Sequence, residues 1–170
     1  MQLAEVAMQL IRREQFTHMV TIANFETEGL RSSFAADPDL TVIAACREGE
    51  GVAIASGLAA AGRKVVLCIE NVGFFECLDT LRALPCDMSI PLPIFVGYLG
   101  RGATYDAVRP FAGGMAGHVS LAGTWTEAVL DAASIKHTTL LPDADEADAR
   151  TTLEDALAAD EPFVVLVDQI

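Results

Sequence analysis

The chain has 170 residues, of which 52% are hydrophobic, and its 24 acidic and 11 basic residues give a formal net charge of −13. This length can bury a sizeable core, and we expect one domain spanning residues 1–170. The acidic charge argues against nucleic acids and anionic membranes as partners, because both are polyanions. Without a signal peptide pattern or an apolar run of roughly 20 residues, a cytoplasmic protein is expected.

The cysteines and histidines do not form a metal-binding pattern. None of the four cysteines belongs to a C-x-x-C pair, and Cys46 and Cys68 fall within segments predicted to be buried strands. The three histidines, His18, His118 and His137, lie in distant segments. We therefore expect free structural thiols and no metal ligand in this chain.

Helices and short apolar runs alternate along the first third of the chain. The patterns predict a helix, a strand, a helix and a strand over Leu3–Arg13, Thr17–Ala23, Thr27–Ala36 and Thr41–Cys46. A helix ending at Gly62 and a buried strand over Lys64–Ile69 follow, which together predict a parallel βαβ unit. Glu48 then lies at the carboxyl end of a strand, where ligands bind in open α/β sheets.

The helix after Glu48 is built from small residues. Its glycines match neither the dinucleotide-binding pattern, because Ile54 stands at the third glycine position, nor a P-loop. A glycine in the middle of a helix costs roughly 1 kcal/mol relative to alanine. Gly57 therefore predicts a close approach by another backbone or by a ligand.

The second half continues the alternation. After a loop, the patterns predict a helix over Phe74–Leu84 that Pro85 stops, and a strand over Leu92–Gly97 that starts at a sheet edge or rim, because Pro91 and Pro93 flank its first residue. A long irregular stretch, Tyr98–Gly117, is either functional or a surface excursion. The remaining predictions are a helix with a Thr124–Glu127 capping box, a strand, an acidic helix with an Asp N-cap and a last strand, over Thr124–Ala133, His137–Leu140, Asp143–Ala159 and Pro162–Val167. These elements predict an α/β fold with a single doubly wound, mostly parallel sheet of about six strands and helices on both faces.

Three segments, in order, resemble one enzyme family. Arg47–Gly57 resembles the glutamate motif in the pyrimidine-binding domain of thiamine-diphosphate enzymes, where the glutamate stands nine residues before a helix glycine, as Glu48 and Gly57 do. Ile69–Gly73 resembles the second cofactor loop, and Ile90–Val96 followed by Arg101 and Gly102 resembles the next strand and loop. The likeness is strongest to the separate alpha subunits of sulfopyruvate and phosphonopyruvate decarboxylases.

The resemblance implies a cofactor site. In the family, the glutamate hydrogen-bonds the ring nitrogen N1′ of the aminopyrimidine and so promotes removal of the thiazolium C2 proton. This implies that Glu48 is catalytic and that Glu48, Asn71, Gly73 and Phe74 bind the cofactor. From the residues alone, Glu48 could instead complement the helix dipole, Asn71 could be a local cap and Gly73 a turn glycine.

The segment Glu70–Glu76 departs from the family's Gln-Asn/Ser-Ser-Gly-Leu-Gly-Asn, because two phenylalanines and an acid replace small polar residues. We expect Phe75, Tyr98 and Arg101 near the substrate. Phe74, Phe75 and Tyr98 form an apolar wall, which predicts an aliphatic or aromatic 2-oxo acid as substrate. Arg101 either binds an anionic group of the substrate or is solvated.

The family's diphosphate-binding signature is missing. The chain has no Gly-Asp-Gly sequence, and the resemblance therefore implies that a separate beta subunit with that motif holds Mg²⁺ and the diphosphate. The predicted function is the alpha subunit of a two-chain thiamine-diphosphate-dependent 2-oxo acid decarboxylase, in a hetero-oligomer with alpha–alpha or alpha–beta contacts. The alternatives are a carboligase subunit, of acyloin or acetolactate type, and a non-catalytic domain of the same fold.

Overall fold

The computed structural model describes residues 3–102, 122–168 and 170. They form a single sheet of six parallel strands with helices around it. The strands are β1 (His18–Thr21), β2 (Thr41–Ala44), β3 (Val65–Glu70), β4 (Pro93–Gly97), β5 (Lys136–Leu140) and β6 (Phe163–Val167). The helices are α1 (Leu3–Arg13), α2 (Glu28–Ala35), α3 (Glu48–Ala60), α4 (Asn71–Glu76), α5 (Leu78–Leu81) followed by a π-helical turn (Arg82–Cys86), α6 (Ala122–Ala132) and α7 (Glu146–Ala158). The predicted α/β fold is confirmed.

Two cores cover the two faces of the sheet. Because strand side chains alternate between faces, Val66 and Cys68 of β3 pack with α1, α2 and α7, whereas Leu67 and Ile69 pack with α3, α4, α5 and α6. All four side chains are fully buried. Burial on both faces explains why β3, β4 and β6 are nearly continuous apolar runs without alternating polar positions.

The strand order creates a crevice between β1 and β3. The order is β2-β1-β3-β4-β6-β5, so the chain leaves β1 toward one edge of the sheet and leaves β3 toward the other. Such a divergence point is where ligands bind in open α/β sheets. The loops that follow β1, β2 and β3 therefore meet near this crevice.

The central βαβ unit is confirmed as parallel, but the prediction that its first strand is buried was wrong. β1 lies between β2 and β3. As a result β2 is an edge strand that is partly exposed, and Cys46 is exposed beyond its end. The predicted stop at Gly62 is confirmed by its φ of +80°, a left-handed conformation that glycine adopts without strain.

The helix predicted for Phe74–Leu84 is divided differently. No loop follows β3, because α4 begins at Asn71 directly after the strand. Pro85 does not stop the helix but lies inside the π-helical turn. The wider turn accommodates a residue that lacks an N–H donor. The start of β4 was predicted at an edge or rim, and Pro93 is the first residue of a strand that lies inside the sheet.

Two predicted helix starts also differ. Thr124 lies inside α6, and Glu127 accepts a hydrogen bond from Thr139 Oγ1 at 2.9 Å, so the predicted capping box is wrong. The N-cap of α7 is Asp145, whose carboxylate accepts from the Ala147 N–H at 2.8 Å, and not Asp143. From residue 103 onward, the predicted irregular stretch lies outside the described residues.

Along the described parts of the chain, every helix is too short or too polar to cross a lipid bilayer. The same parts contain no group of three or more His, Cys, Asp or Glu side chains placed to hold a metal ion.

Candidate functional site

Glu48 and Gly73 meet at the carboxyl edge of the sheet. Glu48 is the first residue of α3, directly after the extended N-cap residue Arg47, and its side chain is half-buried. Gly73 is buried in α4. A Cβ atom at Gly73 would overlap the Glu48 carboxyl group, so the absence of a side chain there makes room for the carboxylate. The structure thus brings together two residues that the sequence assigned to one site.

Three carboxylates lie at the first turn of α3, and two of them already accept backbone hydrogen bonds. Glu76 of α4 accepts a hydrogen bond from the Gly49 N–H at 2.9 Å, and its other oxygen pairs with the Arg47 guanidinium. Glu50 accepts from the Cys46 N–H at 2.8 Å. The Glu48 carboxylate makes no hydrogen bond to another described residue, which leaves it available to a ligand.

Charges around this helix start affect neighbouring groups. The Arg47 guanidinium, followed by the Gly49 N–H, lowers the pKa of Glu76 below the usual glutamate range. Burial, followed by the negative charges of Glu76 and Glu48, raises the pKa of the Cys77 thiol to about 12. The Cys77 thiol therefore stays protonated at neutral pH and is not a nucleophile.

Asn71 lies at the start of α4 and is fully buried. Its amide nitrogen donates to the Leu99 carbonyl at 2.9 Å and to Thr126 Oγ1 at 3.1 Å. Its Oδ1 atom has no hydrogen-bond partner among the described residues. Asn71 therefore ties the start of α4 to the loop after β4 and to α6, and Oδ1 is the side-chain atom left for the predicted ligand role.

The two adjacent phenylalanines have different environments. Phe74 is fully buried in the core, so a contact with a ligand would use its backbone. Phe75 is half-buried and packs edge to face against Phe74 and Trp125, with ring centroids 5.9 and 6.5 Å apart. Trp125, which the sequence analysis missed, is 57% exposed and extends the apolar wall.

Tyr98 and Arg101 lie in the loop after β4. They line a cavity of about 450 Å³ that also contains Glu127 and Thr139. Burial, followed by the charge of Glu127 and its hydrogen bond, raises the pKa of Tyr98 to about 12. Arg101 Nε donates to Asp168 Oδ2 at 3.3 Å. The guanidinium of Arg101 thus already has a carboxylate partner within the chain.

Glu26, in the loop after β1, is a second acid that the sequence analysis did not single out. A Cβ atom at Gly97, the last residue of β4, would lie 3.0 Å from Glu26 Oε2 and 3.0 Å from Asn24 Oδ1. Glu26 Oε2 is buried without a hydrogen-bond partner among the described residues. The signal that could have identified it is an acidic residue following a strand that borders the crevice.

No family model and no curated protein matches this sequence. Solved structures do match the fold. One is benzoylformate decarboxylase from Polynucleobacter necessarius, with a TM-score of 0.68 and 21% identity over 98% of this chain and 30% of that chain. Another is the thiamine diphosphate-dependent 4-hydroxybenzoylformate decarboxylase of Rhodococcus jostii RHA1, with a TM-score of 0.69 and 20% identity over the same shares of the two chains.

The 170 residues span less than a third of the length of these enzymes. At 20% and 21% identity, the similarity to these enzymes shows a shared fold and no more. This chain therefore has the fold of a single segment of thiamine-diphosphate-dependent decarboxylases, with the Glu48–Gly73 pair at the carboxyl edge of its sheet.

Proposed function

We propose that this chain is the pyrimidine-binding alpha subunit of a two-chain thiamine-diphosphate-dependent 2-oxo acid decarboxylase. The observation that carries the proposal is the half-buried Glu48 carboxylate, which lies against Gly73 and has no hydrogen-bond partner among the described residues. Glu48 follows the carboxyl end of β2, in a fold that decarboxylases of this cofactor class share. Both observations support the proposed role.

The capping arrangement weighs against a purely structural role for Glu48. A first-turn glutamate can stabilise a helix by accepting its free N–H groups or by complementing its dipole. In α3 the Gly49 N–H donates to Glu76 instead, and Glu50 accepts from Cys46, which precedes the helix. A non-catalytic domain has no physical need for a third carboxylate at this helix start, half-buried against Gly73.

The residues fit the pyrimidine end of the cofactor. When bound, thiamine diphosphate supplies a thiazolium ring that accepts the electron pair left by decarboxylation. Glu48 would hold the aminopyrimidine and share a proton with its ring nitrogen N1′, which requires a carboxylate free of internal partners. Gly73 leaves the space that this carboxylate needs, and the buried Asn71 fixes the start of α4 beside it.

These 170 residues contain no Gly-Asp-Gly sequence. We propose further that a separate beta subunit with that motif holds the diphosphate and Mg²⁺. The outer surface of α3 supports a protein partner. Ala53, Gly57 and Ala60 are exposed on it, and no charged residue occurs from Gly51 to Gly62. By contrast, α1 and α7 carry exposed ion pairs such as Arg13–Glu154. An apolar helix surface of this kind is typical of a protein contact.

We assign an apolar 2-oxo acid as the substrate class. Phe75 and Trp125 form an aromatic wall beside α4, and desolvating a sulfonate or phosphonate there without a paired donor costs several kcal/mol. Arg101 is the candidate donor among the predicted substrate residues, and its guanidinium is bonded to Asp168.

The test is Glu48→Gln in the assembled enzyme, with Glu50→Gln as the matched control. Glutamine keeps the shape of the side chain but cannot share a proton with N1′. We expect Glu48→Gln to retain the fold and cofactor binding and to lose most activity and C2 proton exchange of the bound cofactor, whereas Glu50→Gln keeps both. Unchanged exchange in Glu48→Gln would remove Glu48 from the mechanism and favour a non-catalytic domain. Product analysis separates a decarboxylase from a carboligase.

A further inference from the structure

The start of α3 is held from outside the helix. The N-cap residue Arg47 gives no side-chain acceptor to the first-turn N–H groups. Glu76, on α4, supplies the acceptor for the Gly49 N–H at 2.9 Å. Its other oxygen pairs with the Arg47 guanidinium, so Glu76 bonds to the residues immediately before and after Glu48.

The same helix that makes room for Glu48 also makes this contact. Gly73 and Glu76 are three residues apart in α4, so they share one side of that helix. Gly73 leaves space for the carboxylate, and Glu76 bonds the backbone next to it. The surroundings of Gly49 are also close, because a Cβ atom there would lie 3.3 Å from Thr80 Oγ1 and 3.4 Å from Glu76 Oε2.

We propose that Glu76 is a positioning residue that fixes the Glu48 carboxylate for its reaction. This inference rests on the proposed function of Glu48. Glu76 occupies the Gly49 N–H, which the Glu48 carboxylate would otherwise be free to approach, so Glu48 stays directed at Gly73 and the ligand. Catalytic groups must be held within about 0.5 Å of their productive geometry, and this contact supplies that restraint.

The chain offers variants that separate the two contacts of Glu76. Glu76→Ala removes both contacts. Glu76→Gln keeps an oxygen that can accept from Gly49 but loses the charge pair, and Arg47→Ala removes the charge pair alone. The Arg47 side chain is 74% exposed, so its ion pair with Glu76 adds little by itself.

In the assembled enzyme, we expect Glu76→Ala to lower kcat by about tenfold to a hundredfold, with little change in KM, because misplacing a catalytic group acts on the chemical step. Glu76→Gln and Arg47→Ala should stay within about threefold of the unaltered enzyme. Full activity in Glu76→Ala would overturn the proposal. Equal losses in Arg47→Ala and Glu76→Ala would overturn the Gly49 contact as its basis, because the exposed ion pair would then be responsible.

A second readout uses the isolated chain and does not depend on activity. The NMR shift of the Gly49 amide proton should follow the titration of Glu76, with a midpoint below the usual glutamate range. The other acids nearby are Glu48 and Glu50. The pH-dependent change of the Gly49 shift is therefore assigned to Glu76 only if it disappears in Glu76→Gln. A Gly49 shift that titrates unchanged in Glu76→Gln would overturn the contact.

The outcomes separate this inference from the proposed function. If Glu48→Gln is inactive while Glu76→Ala is fully active, Glu76 has no positioning role and the function of Glu48 stands. If Glu48→Gln itself retains full activity, the proposed function fails, whatever Glu76→Ala does.

Discussion

The carboxyl group of Glu48 occupies the place that a side chain on Gly73 would need. Both residues lie at helix starts that follow strands, and the strand order brings those ends to one edge of the sheet. Gly73 is therefore required for space, since it lies within α4 and does not have a left-handed conformation. The pair makes the candidate site sensitive to a single added methyl group.

Gly73→Ala should keep the fold but displace the Glu48 carboxylate, because the new Cβ would overlap it. We expect activity of the assembled enzyme to fall on the order of a hundredfold. In the isolated chain, Gly57→Ala is the control for an added methyl group in a helix, since a Cβ there meets nothing within 4 Å among the described residues, and it should stabilise α3 by up to about 1 kcal/mol. Melting curves of both variants as isolated chains, and kcat of Gly73→Ala in the assembled enzyme, check this. Full activity in Gly73→Ala would contradict the geometry.

Asn71→Ala should destabilise the chain, because it leaves the Leu99 carbonyl without its donor and opens a small gap. The expected loss in free energy of unfolding is about 1–3 kcal/mol. A double-mutant cycle with Thr126→Val, measured by denaturant unfolding, should show coupling because the two side chains share a hydrogen bond. Strictly additive effects would mean that this bond contributes nothing.

Glu28→Gln should flatten the dependence of stability on acid pH. The Arg31 guanidinium, followed by the Ser32 hydroxyl, lowers the pKa of Glu28 to about 2. Because the pKa is lower in the folded than in the unfolded chain, the stabilisation is complete above the unfolded pKa of about 4.5 and is lost as the pH falls toward 2. Unfolding free energies of both proteins at several pH values test this. A constant difference between them from neutral pH to pH 2 would count against it.

The substrate assignment predicts that aliphatic or aromatic 2-oxo acids react better than sulfopyruvate. Arg101→Ala should change this ranking little, because Asp168 already pairs with Arg101, and Phe75→Ala should weaken selection for aromatic substrates. The measurement is kcat/KM for a short substrate panel with the beta subunit present. A tenfold preference for sulfopyruvate, about 1.4 kcal/mol, that disappears in Arg101→Ala would show that the arginine outweighs the aromatic wall.

The isolated chain should bind thiamine diphosphate weakly or not at all, because the proposed partner holds the diphosphate and Mg²⁺. Isothermal titration of the chain with cofactor and magnesium measures this. Sub-micromolar affinity without a partner would contradict the division of the site between two chains.

The sequence by itself determined the fold class and the position of Glu48. Most strands are short apolar runs, with β5 as the exception, and some helix ends carry local signals such as Gly62, so neighbouring residues suffice to identify most of these elements. A glutamate directly after a strand in an alternating α/β pattern must lie at the carboxyl edge of a parallel sheet. No long-range information is needed for either conclusion.

Only the tertiary structure decided which groups surround Glu48. The insertion of β1 between β2 and β3 depends on strand pairing across the chain, and periodicity does not encode pairing partners. The capping of α3 by Glu76 depends on how α3 packs against α4. The burial of Phe74 beneath Phe75 likewise reflects the orientation of α4 on the sheet. The strand pairing and the capping contact join residues that are distant in sequence, and all three features are set by packing between elements, whereas local patterns report only the elements themselves.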